Sequence, residues 1–446
     1  MTLLTDYKST LRLGLPIVVG QLGVIVMGFA DTMMVGRYST DALAAASFAN
    51  ALFNLITYML LGYSYGLTPL VSSLYGQGRS HEAGSTLKHG IVCNVSIALL
   101  LMLAMTVVFF CLPHFGQPEE ILPLVRPYYL CLLLSMLFVA LFNATRQFTD
   151  AVTDTTVGMA AILSGNALNI LGNWLLIYGI GPFPELGLLG AGISTAFSRL
   201  YMALFMSVVI GFRGRYAAFR RGFQSIPLRR SSLVHVNAKS MPVSLQMGME
   251  TGSFTFSGIM AGWISAIDLA TFQVMVTVGT LGFLLYYSFG SSMSIRLSAA
   301  YGQRDWTAVR RAYRSGLHIL LAMCAVSSLI FLFLGKYIIL GFSSDPAVMA
   351  LAVSLIPFLV LYQLGDAMQV CYSNALRATG HVRPVMSVAF ISYIVVNIPV
   401  AYLLGFTFHL GSKGIFLAFT VGLVTAAALF AWHFRKALHA DCPEHF

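Results

Sequence analysis

The chain has 446 residues, of which 58% are hydrophobic and only 9% are charged. A soluble globular domain is about half apolar and about a quarter charged, so this composition excludes an ordinary soluble protein and indicates one that lies in lipid. The formal net charge is +10, and because most basic residues fall in predicted loops, no nucleic-acid partner is required to explain it.

In chain order, apolar stretches long enough to cross a bilayer as helices recur almost from one end of the sequence to the other. We predict an all-α polytopic membrane protein with twelve transmembrane helices. The predicted helices lie at 12–36, 43–72, 88–112, 122–146, 157–180, 187–212, 239–264, 269–300, 313–340, 347–376, 384–408 and 411–436. Because twelve is an even number, both termini should lie on the same side of the membrane.

Two of the predicted connections are rich in arginine, and both lie on the side of the termini. They join the sixth helix to the seventh and the eighth to the ninth, with Arg213, Arg215, Arg220, Arg221, Arg229 and Arg230 in the first and Arg304, Arg310, Arg311 and Arg314 in the second. The positive-inside rule assigns such a side to the cytoplasm. We therefore expect a multi-pass protein of the inner (cytoplasmic) membrane with both termini in the cytoplasm.

The first half of the sequence reappears in the second half. One constant shift takes Pro16 to Pro242 and Tyr75–Gln77 to Tyr301–Gln303, and later matches follow at a slightly larger shift after a small insertion. Since each repeat contains six helices, both repeats have the same orientation, and we predict two pseudo-symmetric six-helix bundles around a central cavity. The predicted lobes are 1–220 for helices 1–6 and 221–446 for helices 7–12.

Missing motifs exclude several classes of protein. The sequence has no glycine-rich nucleotide-binding loop of the G-x-x-x-x-G-K-[ST] type, so the energy for transport would come from an ion gradient. It has no H-E-x-x-H motif and no Ser/His/Asp set within the predicted helices, so we expect neither enzymatic activity nor a cofactor. The six cysteines lack C-x-x-C spacing, which indicates neither a disulfide framework nor a zinc site.

Three acidic residues lie within predicted helices: Asp31 in the first, Glu250 in the seventh and Asp366 in the tenth. An acid at the centre of a membrane helix costs about 2.5 to 3.5 kcal/mol, which a basic partner normally offsets. We count Arg199 as the only basic residue deep within a predicted helix, so at least two acids must be protonated, hydrated or paired with a bound cation. Cation handling is the favoured interpretation; the alternative places these acids near helix ends or protonates them against backbone carbonyls.

The acids of the seventh and tenth helices have polar neighbours on the same helix face. In the tenth helix, Tyr362 and Gln369 lie at i−4 and i+3 from Asp366. The seventh helix carries a polar stripe at i, i+4, i+7 and i+11, formed by Gln246, Glu250, Ser253 and Ser257. Carboxylate, phenol and amide oxygens suit Na⁺, whereas a carboxylate alone suffices for a proton, so the coupling ion stays open between the two.

Three asparagines repeat on one face of the fifth helix, at Asn166, Asn169 and Asn173. Membrane asparagines often serve only as hydrogen-bond links between helices. The functional alternative pairs their amides with the carboxylate of Asp31 in the same lobe. We interpret Arg199 as structural, with its guanidinium bonded to helix ends or extended toward the cytoplasm.

Three stretches of the sequence resemble the multidrug and toxic compound extrusion (MATE) family. They are Gly28–Gly36 in the first helix, Tyr75–Gly78 after the second, and Tyr362–Gln369 in the tenth. Because the seventh and tenth helices also carry acids, the chain is most similar to the NorM-type branch. The resemblance covers the whole chain and implies the MATE fold of the MOP superfamily, whose members export cationic, often aromatic compounds in exchange for Na⁺ or H⁺.

The resemblance also implies two sites, one in each lobe. A cation-coupling site in the second lobe, suited to Na⁺, is formed by Glu250, Tyr362 and Asp366. A site for substrate or protons in the first lobe is formed by Asp31, Asn169 and Asn173, and Asp31 is also a candidate for cation coupling. Secondary candidates beside the second-lobe site are Gln246, Ser253 and Gln369.

We therefore expect a cation-coupled multidrug efflux antiporter that exports organic, mostly cationic amphipathic compounds by alternating access. The expected partners are small organic cations and membrane lipid, without nucleic acid, and the chain is expected to be a monomer. The main alternative is a transporter of the same superfamily that flips lipid-linked saccharides, which would need basic residues in its cavity. A passive channel would not depend on an ion gradient, and a membrane scaffold would leave three acids in lipid without a role.

Overall fold

The structure is a computed structural model that describes residues 3–116, 118, 120–342 and 345–441. Every regular element in these residues is helical, which confirms the predicted all-α fold. The helices of the first half are α1 (Leu3–Tyr38), α2 (Thr40–Tyr65), α3 (Leu67–Gly76), α4 (Ser80–Cys111), α5 (Leu122–Ala151), α6 (Thr155–Tyr178), α7 (Leu188–Phe212) and α8 (Ala217–Ser225). Short 3₁₀ turns follow α4 and α7, at Leu112–Phe115 and Gly214–Tyr216.

The second half begins with four helices of 33 to 37 residues. Its α-helices are α9 (Arg230–Ile264), α10 (Ala266–Gly302), α11 (Trp306–Leu340), α12 (Pro346–Ala378), α13 (Arg383–Ala389), α14 (Ile398–Tyr402) and α15 (Ser412–Asp441). The π-helical segment Phe390–Asn397 joins α13 to α14, and a second one, Leu403–Thr407, follows α14. The four elements form one continuous helical span.

All twelve predicted membrane helices are present as helices, and eleven spans in the described residues are long and apolar enough to cross a membrane. The twelfth, in α9, does not reach that apolar content although it has 35 residues. The polar stripe that includes Gln246 and Glu250 explains this difference, because it lowers the hydropathy of an otherwise apolar helix. One helix was not predicted at all: α8 lies in the arginine-rich connection.

Prolines explain where the observed helices depart from the predicted ones. The predicted second helix, 43–72, is divided at Gly66 into α2 and α3, and Pro69 lies in the first turn of α3. A proline within a helix removes a backbone donor and clashes with the carbonyl four residues earlier, so the helix bends or breaks near it. In the same way Pro399, at the start of α14, follows a π-helical segment, which is the usual form of a local interruption.

The chain divides into two compact units. The N-unit comprises Val19–Ser244, and the C-unit comprises Leu245–Phe446 together with Met1–Val18. The predicted lobe boundary at 220/221 follows from the repeat and stays a prediction. The boundaries of the two compact units lie elsewhere, within α1 after Val18 and within α9 after Ser244. The shift that superimposes Pro16 on Pro242 also superimposes these two division points, so both repeats are divided at the same place.

Small residues build the core of the N-unit around α2. Ala42, Ala45 and Ala49 are fully buried on one face of this helix, which lets α5 approach closely. Phe53 of α2 packs on Tyr129 of α5 with ring centroids 4.7 Å apart. This contact fixes the face of α5 that carries the polar residues described below.

Aromatic side chains build the core of the C-unit. Phe419 of α15 stacks on Phe254 of α9 at 4.4 Å between centroids, and it also meets Phe272 of α10 and Tyr362 of α12, each at 6.2 Å. Such pairs contribute about 0.5–1.5 kcal/mol each beyond the burial of their surface. The cluster therefore holds α9, α10 and α12 in a fixed arrangement, and these three helices carry both acids of the site described below and two of their phenol partners.

Candidate functional site

The acid of α12 is the centre of a buried cluster in the C-unit. Asp366 is only 2% exposed, and the hydroxyl of Tyr286 on α10 donates to its Oδ2 at 2.5 Å. The hydroxyl of Tyr362, one turn earlier on α12, is also hydrogen-bonded to this carboxyl group. Two phenol groups therefore bind the same carboxylate. Tyr362 is the one that the helical spacing predicts on the face of Asp366.

The second acid of the C-unit belongs to the same cluster. Glu250 on α9 interacts electrostatically with Asp366, and its carboxyl group is hydrogen-bonded to Tyr393 in the first π-helical segment. The guanidinium of Arg377, on the last turn of α12, also acts on Glu250. Two carboxylates in one buried cluster repel each other, and this repulsion makes the cluster attractive to a cation or a proton.

Neutral polar groups surround these acids in a hydrogen-bonded chain. Gln369 donates from Nε2 to the Tyr393 hydroxyl at 2.9 Å. Asn397 donates from Nδ2 to Ser253 Oγ at 2.7 Å, and this hydroxyl in turn donates to the Tyr393 carbonyl at 3.2 Å. The secondary candidates Gln369 and Ser253 thus lie in one network with the acids.

Several buried oxygens near this network accept no hydrogen bond within the described residues. They are Gln246 Oε1, Gln369 Oε1 and Asn397 Oδ1. A buried acceptor without a donor normally costs free energy, so such atoms require an explanation. Oxygens of this kind, beside two carboxylates, form a donor set that fits a hard cation.

In the N-unit, the structure brings the predicted first-lobe residues together. Asn173 on α6 donates from Nδ2 to Asp31 Oδ1 on α1 at 2.5 Å, and it also contacts Asn169 Oδ1 at 3.4 Å. Asn169 in turn donates to Thr195 Oγ1 on α7 at 3.3 Å. The predicted pairing of these amides with Asp31 is therefore observed, whereas no hydrogen bond joins Asn166 to this group in the described structure.

Asp31 lines a cavity of about 270 Å³ within the N-unit. Helices α1, α2, α5 and α7 form its walls, and its polar side chains are Asp31, Thr32, Ser47, Asn50, Tyr128, Thr195 and Arg199. Arg199 donates from Nη1 to Ser135 Oγ at 2.7 Å and acts electrostatically on Asp31. The sequence-based interpretation of Arg199 as a structural residue thus overlooks that its side chain faces the cavity.

Basic residues other than Arg199 are also buried within the helices, so the expectation that Arg199 is the only one is wrong. Arg377 and Arg146 are 5% and 7% exposed. Arg377 lies one residue beyond its predicted helix and Arg146 is the last residue of its own, whereas α12 and α5 both continue past these positions. Arg146 lies 3.7 Å from the buried acid Asp150 on the same helix. Asp150 was missed for the same reason, since the predicted helix ends at 146.

Three further members of the C-unit cluster were also missed from the sequence as site residues. Tyr286 lies in an aromatic run whose default interpretation is core packing. Tyr393 and Asn397 are polar residues four positions apart in the apolar stretch 390–397, and that spacing places them on one helix face. The sequence could therefore have indicated a shared polar face. Only the folded chain shows that Tyr393 on this face is hydrogen-bonded to Glu250.

Comparisons with known proteins agree with these features. The chain matches the model of the MatE family over residues 16–175 and again over residues 242–403. It is 26% identical to the multidrug resistance protein NorM of Photobacterium profundum, over 96% of this chain and 95% of the relative. It is 27% identical to the multidrug resistance protein NorM of Vibrio cholerae, over 95% and 94% of the two chains.

Solved structures show the same fold. The crystal structure of the eukaryotic MATE transporter AtDTX14 superimposes with a TM-score of 0.88 over 100% of both chains, at 19% sequence identity. The two family matches begin at Pro16 and Pro242, the same pair of prolines that the internal repeat superimposes in the sequence. The predicted duplication is thereby confirmed.

Proposed function

Because the chain belongs to the MatE family, we propose that it is a multidrug efflux transporter. It exports organic, mostly cationic amphipathic compounds in exchange for Na⁺ or H⁺. NorM relatives named as multidrug resistance proteins support the transport of drugs. The observation that carries the coupling is the buried cluster of Glu250, Asp366 and their phenol partners in the C-unit. The protein acts as a transporter and not as an enzyme.

The C-unit cluster supplies what a coupling ion needs. A carboxylate such as Asp366 accepts a proton directly, and for Na⁺ the unpartnered oxygens of Gln246, Gln369 and Asn397 add ligands to those of the two acids. Loading one positive charge neutralises part of the mutual repulsion between the carboxylates. The loaded and empty protein therefore favour different conformations, which is the condition for alternating access.

The concentration gradient of the coupling ion supplies the free energy for export. Exchange of one monovalent ion for one monocationic substrate moves no net charge, so the membrane potential does not contribute to it. Each tenfold gradient of the ion then supplies about 1.4 kcal/mol, which sustains about a tenfold gradient of substrate. A second ion per substrate would add the membrane potential, about 2.3 kcal/mol at 100 mV.

The arginine-rich connection supports the proposed orientation, with this face and both termini in the cytoplasm. Helix α8 lies in that connection and places Phe219 and Phe223 four residues apart, while Arg220 and Arg221 lie between them. Phe219 packs against Phe148 and Tyr216 within the N-unit, whereas Arg221 is exposed, so α8 presents basic residues on the outside of this face. We propose that the protein resides in the inner membrane, in contact with lipid, as a monomer.

A flippase for lipid-linked saccharides is the second candidate, because Arg199 places one basic group in a cavity. Such a substrate carries a diphosphate with at least two negative charges. Within the described lining of that cavity, Arg199 is opposed by Asp31, so the cavity has no net positive charge to offer. This balance favours the multidrug transporter.

The test uses the purified protein in vesicles with rhodamine 123, a fluorescent organic monocation. Na⁺ and pH gradients are imposed separately, and dye accumulation is followed by fluorescence. We expect accumulation against the dye gradient with one of the two ions and none without either. Equal equilibration of the dye under every gradient would show a passive channel and contradict the proposal.

A further inference from the structure

A second cavity of the N-unit lies beside α8, and none of the acids described above lines it. It measures about 250 Å³ and is bounded by α4, α5, α7 and α8. Leu87 and Ile91 of α4, Ile210 of α7, and Phe219 and Phe223 of α8 give it aliphatic and aromatic walls. An apolar cavity of about 150 Å³ already holds a molecule the size of benzene, so this α8 cavity admits a longer apolar group.

The hydroxyl groups in the described lining do not make the α8 cavity polar. Thr145 donates from Oγ1 to the carbonyl of Leu141, and Ser207 donates from Oγ to the carbonyl of Ala203, each at 2.8 Å. Both hydrogen bonds stay within the helix of the donor, so neither hydroxyl hydrogen is available to a ligand. The cavity therefore suits a hydrocarbon chain better than a polar metabolite.

The α8 cavity reaches the outer surface of α7. Ser207 and Gly211 belong both to its lining and to the exposed surface of this helix. The residues that follow them, Val208 and Phe212, are 54% and 84% exposed. Because α7 is apolar enough to cross a membrane, large apolar side chains on its outer surface face lipid. A lipid chain can therefore enter the cavity from the bilayer without crossing water.

Two basic side chains lie at the α8 side of this cavity. Arg220 lines it, and its Nη1 donates to the carbonyls of Ile210 and Arg213 at 3.2 and 2.9 Å. Nζ of Lys88 donates to a backbone carbonyl at 2.6 Å and lies 5.5 Å from the ring centroid of Phe223, another lining residue. Carbonyl oxygens hold these cations in place but do not neutralise their charge.

The acids of the neighbouring segments pair with other arginines. Glu82, in the first turn of α4, pairs with Arg79, and Asp154, at the start of α6, pairs with two arginines that follow α7. Within the described residues, neither Arg220 nor Lys88 forms an ion pair with an acid. The α8 cavity thus combines an apolar interior with an uncompensated positive charge at one side.

From this arrangement we propose that the α8 cavity binds one acyl chain of an anionic phospholipid, whose phosphate group lies on Arg220 and Lys88. Basic pockets between membrane helices commonly receive anionic head groups. A zwitterionic lipid has the same phosphate but also an ammonium group, which these cations repel, so the site should prefer a lipid with a net negative charge. The inference goes beyond the proposed function, because it does not depend on which compound is exported.

Native mass spectrometry of the purified full-length protein tests this inference. Phosphatidylglycerol and phosphatidylcholine with identical oleoyl chains are titrated separately, and the dissociation constant of the first bound lipid is measured. We expect the wild type to bind phosphatidylglycerol about tenfold more tightly, as a charge-assisted contact implies. Glycerol phosphate, which has no acyl chain, should not displace the lipid at an equal concentration.

Variants locate the binding in the α8 cavity. Gly211→Leu should weaken both lipids about tenfold, because a Cβ at this lining position meets no atom within 4 Å and a leucine can fill the space without strain. Gly214→Leu is the matched control, since a Cβ there also meets no atom within 4 Å but the residue lies outside the described lining. Arg220→Gln should remove the preference for phosphatidylglycerol and leave phosphatidylcholine binding unchanged, because the amide still donates to a carbonyl.

Each alternative has its own result. Equal affinities of the wild type for the two lipids would overturn the role of the cations, and displacement by glycerol phosphate would indicate a phosphate site without a chain. Unchanged binding in Gly211→Leu, or an equal loss in Gly214→Leu, would overturn the assignment to the α8 cavity. If Arg220→Gln elutes as an aggregate in size-exclusion chromatography, Lys88→Gln supplies the same comparison, and a full preference for phosphatidylglycerol in that variant would contradict the proposal.

Discussion

The two units contain polar sites at related places of the repeat, but the charges differ. The N-unit site has one acid, Asp31, opposite one arginine, Arg199, whereas the C-unit site has two acids, Glu250 and Asp366, with phenol and amide partners. The first site is balanced in charge and the second has an excess of negative charge at its centre. Duplication supplied two similar frames, and later substitutions gave them different chemistry.

One pair of positions shows this divergence directly. The shift that takes Asn143 to Asn374 also takes Ser135 to Asp366, within equivalent helices. In the C-unit this position is a carboxylate that accepts from Tyr286, and in the N-unit it is a hydroxyl that accepts from Arg199. The side chain at this position of the repeat thus accepts a hydrogen bond in both units, but the acceptor is charged only in the C-unit. We infer that ion coupling belongs to the C-unit and ligand binding to the N-unit.

The largest expected effect comes from neutralising the C-unit acid. Asp366→Asn should reduce uphill accumulation of rhodamine 123 to the level of vesicles without protein, because the amide can neither take up a proton nor neutralise Na⁺. Accumulation is measured under the gradient that drives the wild type. The variant should still fold, since an amide fills the same space as the carboxyl group.

The control for this variant is Asp268→Asn in the same unit. Asp268 lies in the first turn of α10, where its carboxylate accepts from the hydroxyls of Ser265 and Ser412. An asparagine keeps one acceptor oxygen for one serine, and its amide can donate to the hydroxyl oxygen of the other. This variant should accumulate dye normally. Full accumulation by Asp366→Asn would refute the assignment of coupling to the C-unit.

Local spacing accounts for the parts of the site that could be predicted from the sequence. Tyr362, Asp366 and Gln369 share a face because of the helical period, and a polar residue in an apolar helix is conspicuous. The pairing of Asp31 with Asn173 could also be predicted, because an acid within a membrane helix needs polar partners and the asparagines of the fifth predicted helix lie in the same lobe. The internal repeat predicted the duplication and the family resemblance predicted the MATE fold, and both predictions are confirmed.

Contacts between distant segments account for what could not be predicted. Tyr286 reaches Asp366 across 80 residues, and nothing in its own aromatic run distinguishes it from its neighbours. Arg377 lies just beyond its predicted helix and Arg146 at the last residue of its own, because hydropathy marks the apolar part of a helix and not its hydrogen-bonded end. Tyr393 lies in a π-helical segment, and the exact form of such an irregularity follows from packing and not from the local sequence.

Neutralising the N-unit acid should have a different effect from that of Asp366→Asn. In Asp31→Asn we expect the dissociation constant of rhodamine 123 to rise about tenfold, because one charge-assisted contact to the cation is lost. The remaining transport should keep its dependence on the same ion gradient. The measurement is the initial rate of export as a function of dye and of ion concentration. Loss of the ion dependence in this variant would contradict the assignment of ion coupling to the C-unit and of ligand binding to the N-unit.

A smaller effect is expected from the phenol that occupies the C-unit carboxylate. Tyr286 donates to Asp366 and so competes with the coupling ion for this group. Tyr286→Phe should therefore lower the half-saturating concentration of the coupling ion by about tenfold or less, with little change in dye binding. Tyr287→Phe, at the next position of α10, is the control, because its ring stacks on Phe283. An equal shift in both variants would show that packing, and not the hydrogen bond, is responsible.

The smallest effect concerns the neutral network around the C-unit acids. Ser253 accepts from Asn397 and donates to the Tyr393 carbonyl, so Ser253→Ala removes two hydrogen bonds that hold the π-helical segment against α9. We expect a loss of about 1 kcal/mol in stability and a rise of roughly fivefold or less in the half-saturating concentration of the coupling ion. Ser257→Ala is the matched control, because this serine lies one turn later on the same face and its Oγ has no hydrogen-bond partner within the described residues. Thermal unfolding in detergent and the ion dependence of export are measured on both variants, and only the Ser253 variant should change in both, because its network connects the fold of this unit to the geometry of its acids.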